Sequence, residues 1–279
     1  MISVYGSTGF VGSQFCAQYP DEVCPIPRDQ RNPESDNILY LISTTHNYNV
    51  FEDPQRDIDT NLKVLVEVLA ACRDRSVTVN FVSSWFVYGE TELPAREDAV
   101  CQPRGFYSIT KKAAEDLLIS YCQTFGMVYR IFRLANVIGP GDQFSKKKNA
   151  LQFVAEQLRL HEPVDLYHGG DFYRDYLHVD DVCRAMRLLM DKAPLNTIFN
   201  VGRGENLKFR DLIDQLISLT GSRSELRAID PPEFHRTVQV KDMYLDVARL
   251  TQLGFAPQIS VNDALASIVA PEAEEVAGG

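Results

Sequence analysis

The chain has 279 residues, 45% hydrophobic and 24% charged, with 28 Lys+Arg against 38 Asp+Glu for a formal net charge of −10. A chain this long can bury a full core without disulfides or a structural metal, and it contains no run of ~18 apolar residues able to span a bilayer. The acidic balance argues against nucleic acid or an anionic membrane as partner, because both need a net basic face, but it leaves room for a local basic pocket.

In chain order, residues 2–5 form a short apolar run that meets glycines at once, as a buried parallel strand does. A short helix is expected after Gly12. Residues 23–27 read as a second strand, which Pro25 and Pro27 confine to a sheet edge. Residues 28–37 are polar and read as a loop, and residues 38–43 as a third, buried strand. From Asn61, Leu62, Leu65, Val66 and Leu69 recur at helical spacing. Residues 77–83 return to strand. Residues 111–125 carry Ala114, Leu117, Leu118, Tyr121 and Phe125 as one helical face. Residues 128–134 form another strand, closed by Gly139-Pro140-Gly141.

Strand alternating with helix implies an α/β, Rossmann-like doubly wound parallel sheet. Beyond Gly141 the pattern changes: a basic run at Lys146-Lys147-Lys148, helices near 150–160, 180–190 and 209–219, and a short strand at 198–201. The tail 271–279 is acidic and reads as frayed. We expect a dinucleotide-binding domain over 1–138, joined by a return strand near 198–201, and a smaller, discontinuous lobe over 139–279. The six cysteines are scattered, and the five histidines show no ligand spacing. No metal site is expected, and the thiols read as reduced, in a cytoplasmic setting. The opening residues Met1–Gly6 lack the basic and apolar regions of a signal peptide, so no leader is expected there.

Gly6-Ser7-Thr8-Gly9-Phe10-Val11-Gly12 places glycines three apart between a strand and a helix. A dinucleotide site needs that context: one glycine for the tight turn, one to admit the pyrophosphate to backbone N–H groups, one for close helix–strand packing. An ordinary strand–helix turn is the alternative. Such a site usually has an acidic residue ~20 positions on to bond the adenosine ribose. Arg28 stands near that place, with Arg31 close by, and a guanidinium can pair with a 2′-phosphate. NADP(H) is therefore favoured over NAD(H), with a solvated loop charge as the alternative reading of Arg28.

Tyr107-Ser108-Ile109-Thr110-Lys111 sets a tyrosine and a lysine at i and i+4 on one helix face. A tyrosine of ordinary pKa ~10 is a poor base at neutral pH. An ammonium at ~4 Å and an effective dielectric of ~20 would favour its phenolate by about 4 kcal/mol before desolvation, enough to bring proton exchange with a hydroxyl or ketone within reach. Ser83-Ser84-Trp85-Phe86-Val87-Tyr88-Gly89 ends the preceding strand and turns a serine toward the same crevice.

With the glycine turn, Asn136-Val137-Ile138-Gly139-Pro140-Gly141 and Arg174-Asp175-Tyr176-Leu177-His178-Val179-Asp180-Asp181, these motifs stand in the order of the extended short-chain dehydrogenase/reductases. The chain resembles their sugar-nucleotide epimerase/dehydratase branch, and is similar over nearly its whole length to UDP-galactose 4-epimerase. The resemblance implies Ser84, Tyr107 and Lys111 as catalytic residues, with Lys111 also holding the nicotinamide ribose. It implies cofactor contacts at Gly6, Thr8, Gly9, Phe10, Val11, Gly12, Arg28, Ser43, Asn61, Ser83, Tyr107, Lys111 and Val137. Asn61 resembles the asparagine that orders the active-site end of its helix. Substrate contacts are implied at Ser84, Asn136, Arg174 and Arg236; the two arginines resemble those that grip a nucleotide diphosphate, although the usual R-P-G-D reads Arg236-Thr237-Val238-Gln239. His178 and Asp180 are expected to fix local structure, and Lys146–Lys148 to form a solvated loop rather than a phosphate contact. A homodimer through the helices around 61–72 and 107–125 is implied by the resemblance alone.

The residues beside Ser84 separate the branches. Dehydratases of the family resemble one another in an Asp-Glu pair there, decarboxylases in a glutamate, and 3,5-epimerases in a cysteine two residues past the serine. Trp85 and Phe86 transfer no proton, which leaves a 4-epimerase or a ketoreductase. Only 25 residues separate Gly12 from Ile38, about one strand–helix pair fewer than the family layout. A looser adenine pocket suits a cofactor that leaves each cycle. The expectation is an NADPH-dependent reductase of a nucleotide-diphosphate 4-keto-6-deoxy sugar. The alternatives are an NAD-dependent nucleotide-sugar 4-epimerase and a catalytically silent NAD(P)-binding sensor.

Overall fold

The computed structural model describes residues 1–142 and 150–270; Lys146–Lys148 and the tail 271–279 lie outside the described residues. The strands β1 (Ile2–Tyr5), β2 (Val23–Ile26), β3 (Asn37–Tyr40), β4 (Thr78–Ser84), β5 (Val128–Leu134) and β6 (Thr197–Val201) form one parallel sheet in the order β2-β1-β3-β4-β5-β6. The helices that cover it are α1 (Phe10–Gln18), α2 (Val64–Ala71), α3 (Phe106–Phe125) and α4 (Val179–Lys192).

Alternate strand residues feed opposite faces, as the period of two requires. Val4, Leu39 and Phe132 pack with Phe15 of α1 and Met186 of α4, whereas Tyr5, Ile38, Tyr40 and Ile131 pack with Leu65 of α2 and Leu118 of α3. Both faces are therefore buried, which is why the strands read as continuous apolar runs.

From β1 the chain passes to β2 on one side and later to β3 on the other. A crevice opens at such a switch point, outside the carboxyl ends of the strands. β2 is the sheet edge, where Pro25 lies beside Val4 at no cost to a second ladder. Among the described residues no strand lies beyond it. The chain turns back through residues 27–36, whose Ser35 N–H donates to Ser3 Oγ at 2.8 Å. The short distance from Gly12 to β3 thus appears as a single strand on the outer side of β1, where the common 3-2-1-4-5-6 order has two.

Several expectations need correction. α3 begins at Phe106, ahead of the expected start at 111, and carries Tyr107 and Lys111 at i and i+4 as expected. Its buried face runs through Thr110, Ala114, Leu118 and Cys122, while Leu117 and Phe125 are exposed. Ala114 and Leu118 of the expected face are buried, and Cys122 rather than Leu117 or Phe125 completes it. Asn61 lies in a π-helical turn, Asp59–Lys63, that precedes α2, and Val66 points outward. Thr197–Val201 does return to the main sheet, parallel to β5.

The remaining chain forms a separate core of Leu151, Val154, Leu158, Val164, Phe209 and Leu216. Two parallel strand pairs there escape sequence reading: Val164–Tyr167 with Leu226–Ile229, and Asn136–Ile138 with Tyr176–His178. Among the described residues, no helix is long and apolar enough to cross a membrane.

Candidate active site

Two clefts meet at the carboxyl edge of the sheet. The smaller, about 260 Å³, is lined by Gly6, Gly9, Phe10, Val11, Gly12, Ser43, Ser83, Ser84, Tyr107, Lys111 and Val137, among others. Gly6 has φ +81°, and the Gly9 N–H donates to its carbonyl at 3.1 Å, closing the turn. A Cβ on Gly12 would stand 2.1 Å from the Gly6 oxygen, so only glycine lets α1 approach the turn this closely. Gly9 caps α1 without a side-chain bond, and no acidic residue occupies the first turn. The amide groups and the positive end of the helix dipole there suit a pyrophosphate. The Ser83 hydroxyl is buried without a partner and faces the same cleft. These features fit a dinucleotide.

Thr8, Arg28 and Asn61 do not line this cleft. Thr8 is exposed on the turn. Arg28 is exposed two residues past the end of β2, and its side chain makes no hydrogen bond among the described residues. Arg31 is engaged, donating from Nε to Glu67 at 2.7 Å. Asn61 is buried and acts as a brace. Its Oδ1 accepts from the Thr44 N–H at 2.8 Å, and its Nδ2 donates to Thr110 Oγ1 at 2.9 Å, tying the loop after β3 to the first turn of α3. It thereby orders the end of the helix that carries Tyr107.

Ser84 ends β4, and its Oγ accepts from the Phe86 N–H at 3.4 Å, capping the 3-10 turn Trp85–Val87. Asn47 caps the other element: its Oδ1 accepts from the Ser108 N–H at 3.4 Å. Burial pushes the Tyr107 phenol up to about 12, against hydrogen bonds from Ser84 and Ser43 that lower it. Burial pushes Lys111 down to about 7, with Glu115 one turn on opposing the fall. The Lys111 Nζ donates to the Val82 carbonyl at 2.7 Å and lies 4.3 Å from the centroid of the Phe81 ring. Glu115 is meanwhile held by Arg133 through bonds of 3.0 and 2.7 Å.

The expected ammonium–phenolate attraction is therefore not what sets the tyrosine here. Desolvation acts on both groups in the direction that favours their neutral forms. The phenol therefore keeps its proton near neutrality and can serve as a proton donor.

The larger cleft, about 540 Å³, carries Asn136, Arg174 and Arg236 with Tyr48, Tyr167, Phe172 and His235. Asn136 Nδ2 donates to the Asp175 carbonyl at 2.9 Å. Arg174 lies between the rings of Trp85 and Phe172, at 5.5 and 4.9 Å, and donates to the carbonyls of Val240 and Lys241. It braces the wall as well as lining it. Arg236 is exposed and makes no side-chain hydrogen bond among the described residues. Burial, with Arg174 and His168 adding, pushes His235 down to about 4, so it is neutral where it packs 4.7 Å from Tyr167. His178 Nδ1 accepts from the Asp180 N–H at 3.2 Å and caps α4.

Thr44 and Asp57 escaped the sequence reading. Thr44 lines the smaller cleft from the loop after β3 and donates to Asp57, a fully buried carboxylate that also accepts from Asn49 at 2.9 Å. The strand-end argument that found Ser84 would have found Thr44; nothing local marks Asp57.

The family model for the NAD dependent epimerase/dehydratase family matches residues 30–202. The GDP-6-deoxy-D-mannose reductase of Pseudomonas aeruginosa is 30% identical, over 95% of each chain. A putative UDP-glucose 4-epimerase of Methanocaldococcus jannaschii is 28% identical over 79% of this chain and 72% of its own. The structure of RMD from Pseudomonas aeruginosa in complex with NADPH superposes with a TM-score of 0.84 at 26% identity, covering 96% of this chain and 97% of that one. The UDP-glucose 4-epimerase of Thermotoga maritima, with UDP-glucose, shares the fold at a TM-score of 0.87 and 23% identity, with the same coverage.

Proposed function

The chain belongs to the NAD dependent epimerase/dehydratase family, and we propose that within it the protein is an NADPH-dependent reductase of a nucleotide-diphosphate 4-keto-6-deoxy sugar. One observation carries this reading. The residues common to both clefts are Trp85, Phe86 and Asn136, and none of them transfers a proton. Ser84, Tyr107 and Lys111 line the smaller cleft beside this junction, which is the equipment of a ketone reduction, and no Asp-Glu pair follows Ser84 to serve an elimination.

The dinucleotide, when bound in the glycine-lined cleft, supplies the hydride for C4. Ser84 donates a hydrogen bond to the C4 oxygen and steadies the negative charge that develops there. Tyr107 delivers its phenolic proton to that oxygen, completing the alcohol. Lys111, whose ammonium burial makes readier to give up its proton, is suited to return a proton toward the phenolate. Asn136, Arg174 and Arg236 face the sugar and its diphosphate.

NADPH is preferred because Arg28 stands unengaged past β2, where a ribose substituent is met in this topology. The similar RMD protein is bound to NADPH. A homodimer would cover the apolar side chains that α2 and α3 expose, Val66, Ile109 and Leu117.

The test is to identify any cofactor released on denaturation and to follow NADPH oxidation with a GDP- or UDP-linked 4-keto-6-deoxyhexose. Reduction at C4 is expected, with Tyr107→Phe at least 100-fold slower. Stoichiometric, tightly held NAD with interconversion of UDP-hexoses would overturn the reading in favour of a 4-epimerase. No turnover at all, together with unaltered cofactor binding in Tyr107→Phe, would point to a sensor.

A further inference from the structure

Trp85 and Phe86 are two large rings at the point where the two clefts join. Their centroids are 3.9 Å apart and nearly parallel at 25°. Phe86 in turn meets the Tyr107 ring edge-on, at 5.5 Å and 80°. The Arg174 guanidinium lies 5.5 Å from the Trp85 centroid and is pinned to the carbonyls of residues 240 and 241. From the other side the 3-10 turn is capped by Ser84 itself. Trp85 is only 4% exposed. The pair is thus a fixed wall whose position is tied to the serine and the tyrosine.

We propose that the Trp85–Phe86 wall determines specificity, admitting a sugar whose C5–C6 side is apolar and holding the 4-keto ring in one orientation. The inference rests on the reductase reading above. A sugar whose C4 oxygen meets Ser84 and Tyr107 must lay neighbouring carbons against the residues between them. A C6 methyl gains from contact with an aromatic face. A C6 hydroxyl or carboxylate placed there exchanges water for ring carbon and loses its hydrogen bonds. The same rigidity bears on stereochemistry. A 4-epimerase must let the keto sugar turn over and offer its other face, and a packed stack gives little way, because protein interiors are as dense as organic crystals.

The test compares oxidation at C4 with NADP+ of GDP-6-deoxy-D-mannose against GDP-D-mannose, and of UDP-6-deoxy-D-glucose against UDP-D-glucose. Each pair differs only at C6. An apolar pocket rejects an added hydroxyl by about 100-fold, so the wild-type protein is expected to favour the 6-deoxy member of its preferred pair by about that factor in kcat/KM. Phe86→Ala is expected to bring the ratio below about 10-fold and, in the reverse direction, with the 4-keto-6-deoxy sugar and NADPH, to yield a mixture of C4 epimers where the wild-type yields one. Phe86→Leu, which keeps bulk and serves if the alanine variant misfolds, is expected to fall between.

Equal use of both members by the wild-type protein, or an unchanged ratio in both variants, overturns the wall proposal while the reductase reading stands. Failure of the wild-type protein to oxidise either pair and to reduce any 4-keto-6-deoxyhexose overturns the reductase reading, and the wall with it.

Discussion

Replacing Lys111 with methionine should inactivate the enzyme and stabilise its fold. Lys111 is 2% exposed, and burial takes its pKa from the ordinary 10.5 to about 7. A displacement of three to four decades, at ~1.36 kcal/mol each, corresponds to about 5 kcal/mol of strain in holding the charged form inside the folded chain. The bond to the Val82 carbonyl and the contact with Phe81 offset about 1–2 kcal/mol of this. At pH 6 the lysine is charged in both folded and unfolded chains. Lys111→Met should then exceed the wild-type protein in stability by about 3 kcal/mol.

The sign follows from proton counting. Between about 7 and 10.5 the unfolded chain binds the proton that the folded chain has released. Wild-type stability therefore climbs through that window relative to the variant, and the gap closes. Urea unfolding of both cofactor-free proteins at pH 6 and pH 10 measures the difference directly, because every other titrating group cancels between them. A variant less stable at pH 6, or a gap that does not change with pH, would refute the reasoning. Activity should fall by at least 100-fold in the same variant.

The remaining expectations concern binding and bracing. Gly12→Ala would drive a methyl to 2.1 Å from the Gly6 oxygen; loss of at least tenfold in dinucleotide affinity is expected by fluorescence titration. Arg28→Ala should weaken NADPH about tenfold and leave NADH unchanged, and equal effects on the two would remove Arg28 from the site. Asn61→Ala deletes bonds to Thr44 and Thr110; a loss of about 2 kcal/mol in unfolding free energy is expected, with kcat reduced more than the nucleotide-sugar KM. Arg236→Ala, at an exposed side chain with no hydrogen bond among the described residues, should leave stability within about 0.5 kcal/mol while raising that KM about tenfold.

Local order explains why so much of the site was legible in advance. A glycine turn between strand and helix, a serine at a strand end and a Tyr-x-x-x-Lys helix start are each written in consecutive residues, and their chemistry follows from type and spacing. Phe10, Val11, Ser43, Ser83 and Val137, named through the family resemblance, line the smaller cleft. A bracing role for Asn61 was implied only by the family resemblance, and its contacts were not legible, because its partners lie 17 and 49 residues away. Asp57 carried no signal at all, since its burial and its bonds to Thr44 and Asn49 arise only when the loop after β3 folds back on itself. The phase of α3 was likewise beyond reach: Leu117 and Leu118 are equally apolar, and only the sheet decides which of them it covers.

Length, charge and motif order by themselves determined the α/β class, the doubly wound sheet, the missing outer strand and the three residues at its carboxyl edge. Each of these depends on chain direction and local pattern, which a sequence contains. Tertiary structure alone decided the charge states and the shape of the site. The −10 balance of the whole chain says nothing about Lys111, whose titration is set by the apolar residues packed round it and by the diversion of Glu115 to Arg133. It also turned two adjacent aromatic residues, legible only as unable to move protons, into a wall between two clefts. Desolvation and packing are properties of neighbours in space, and for Trp85 and Phe86 those neighbours reach from Tyr107 to Arg174 along the chain.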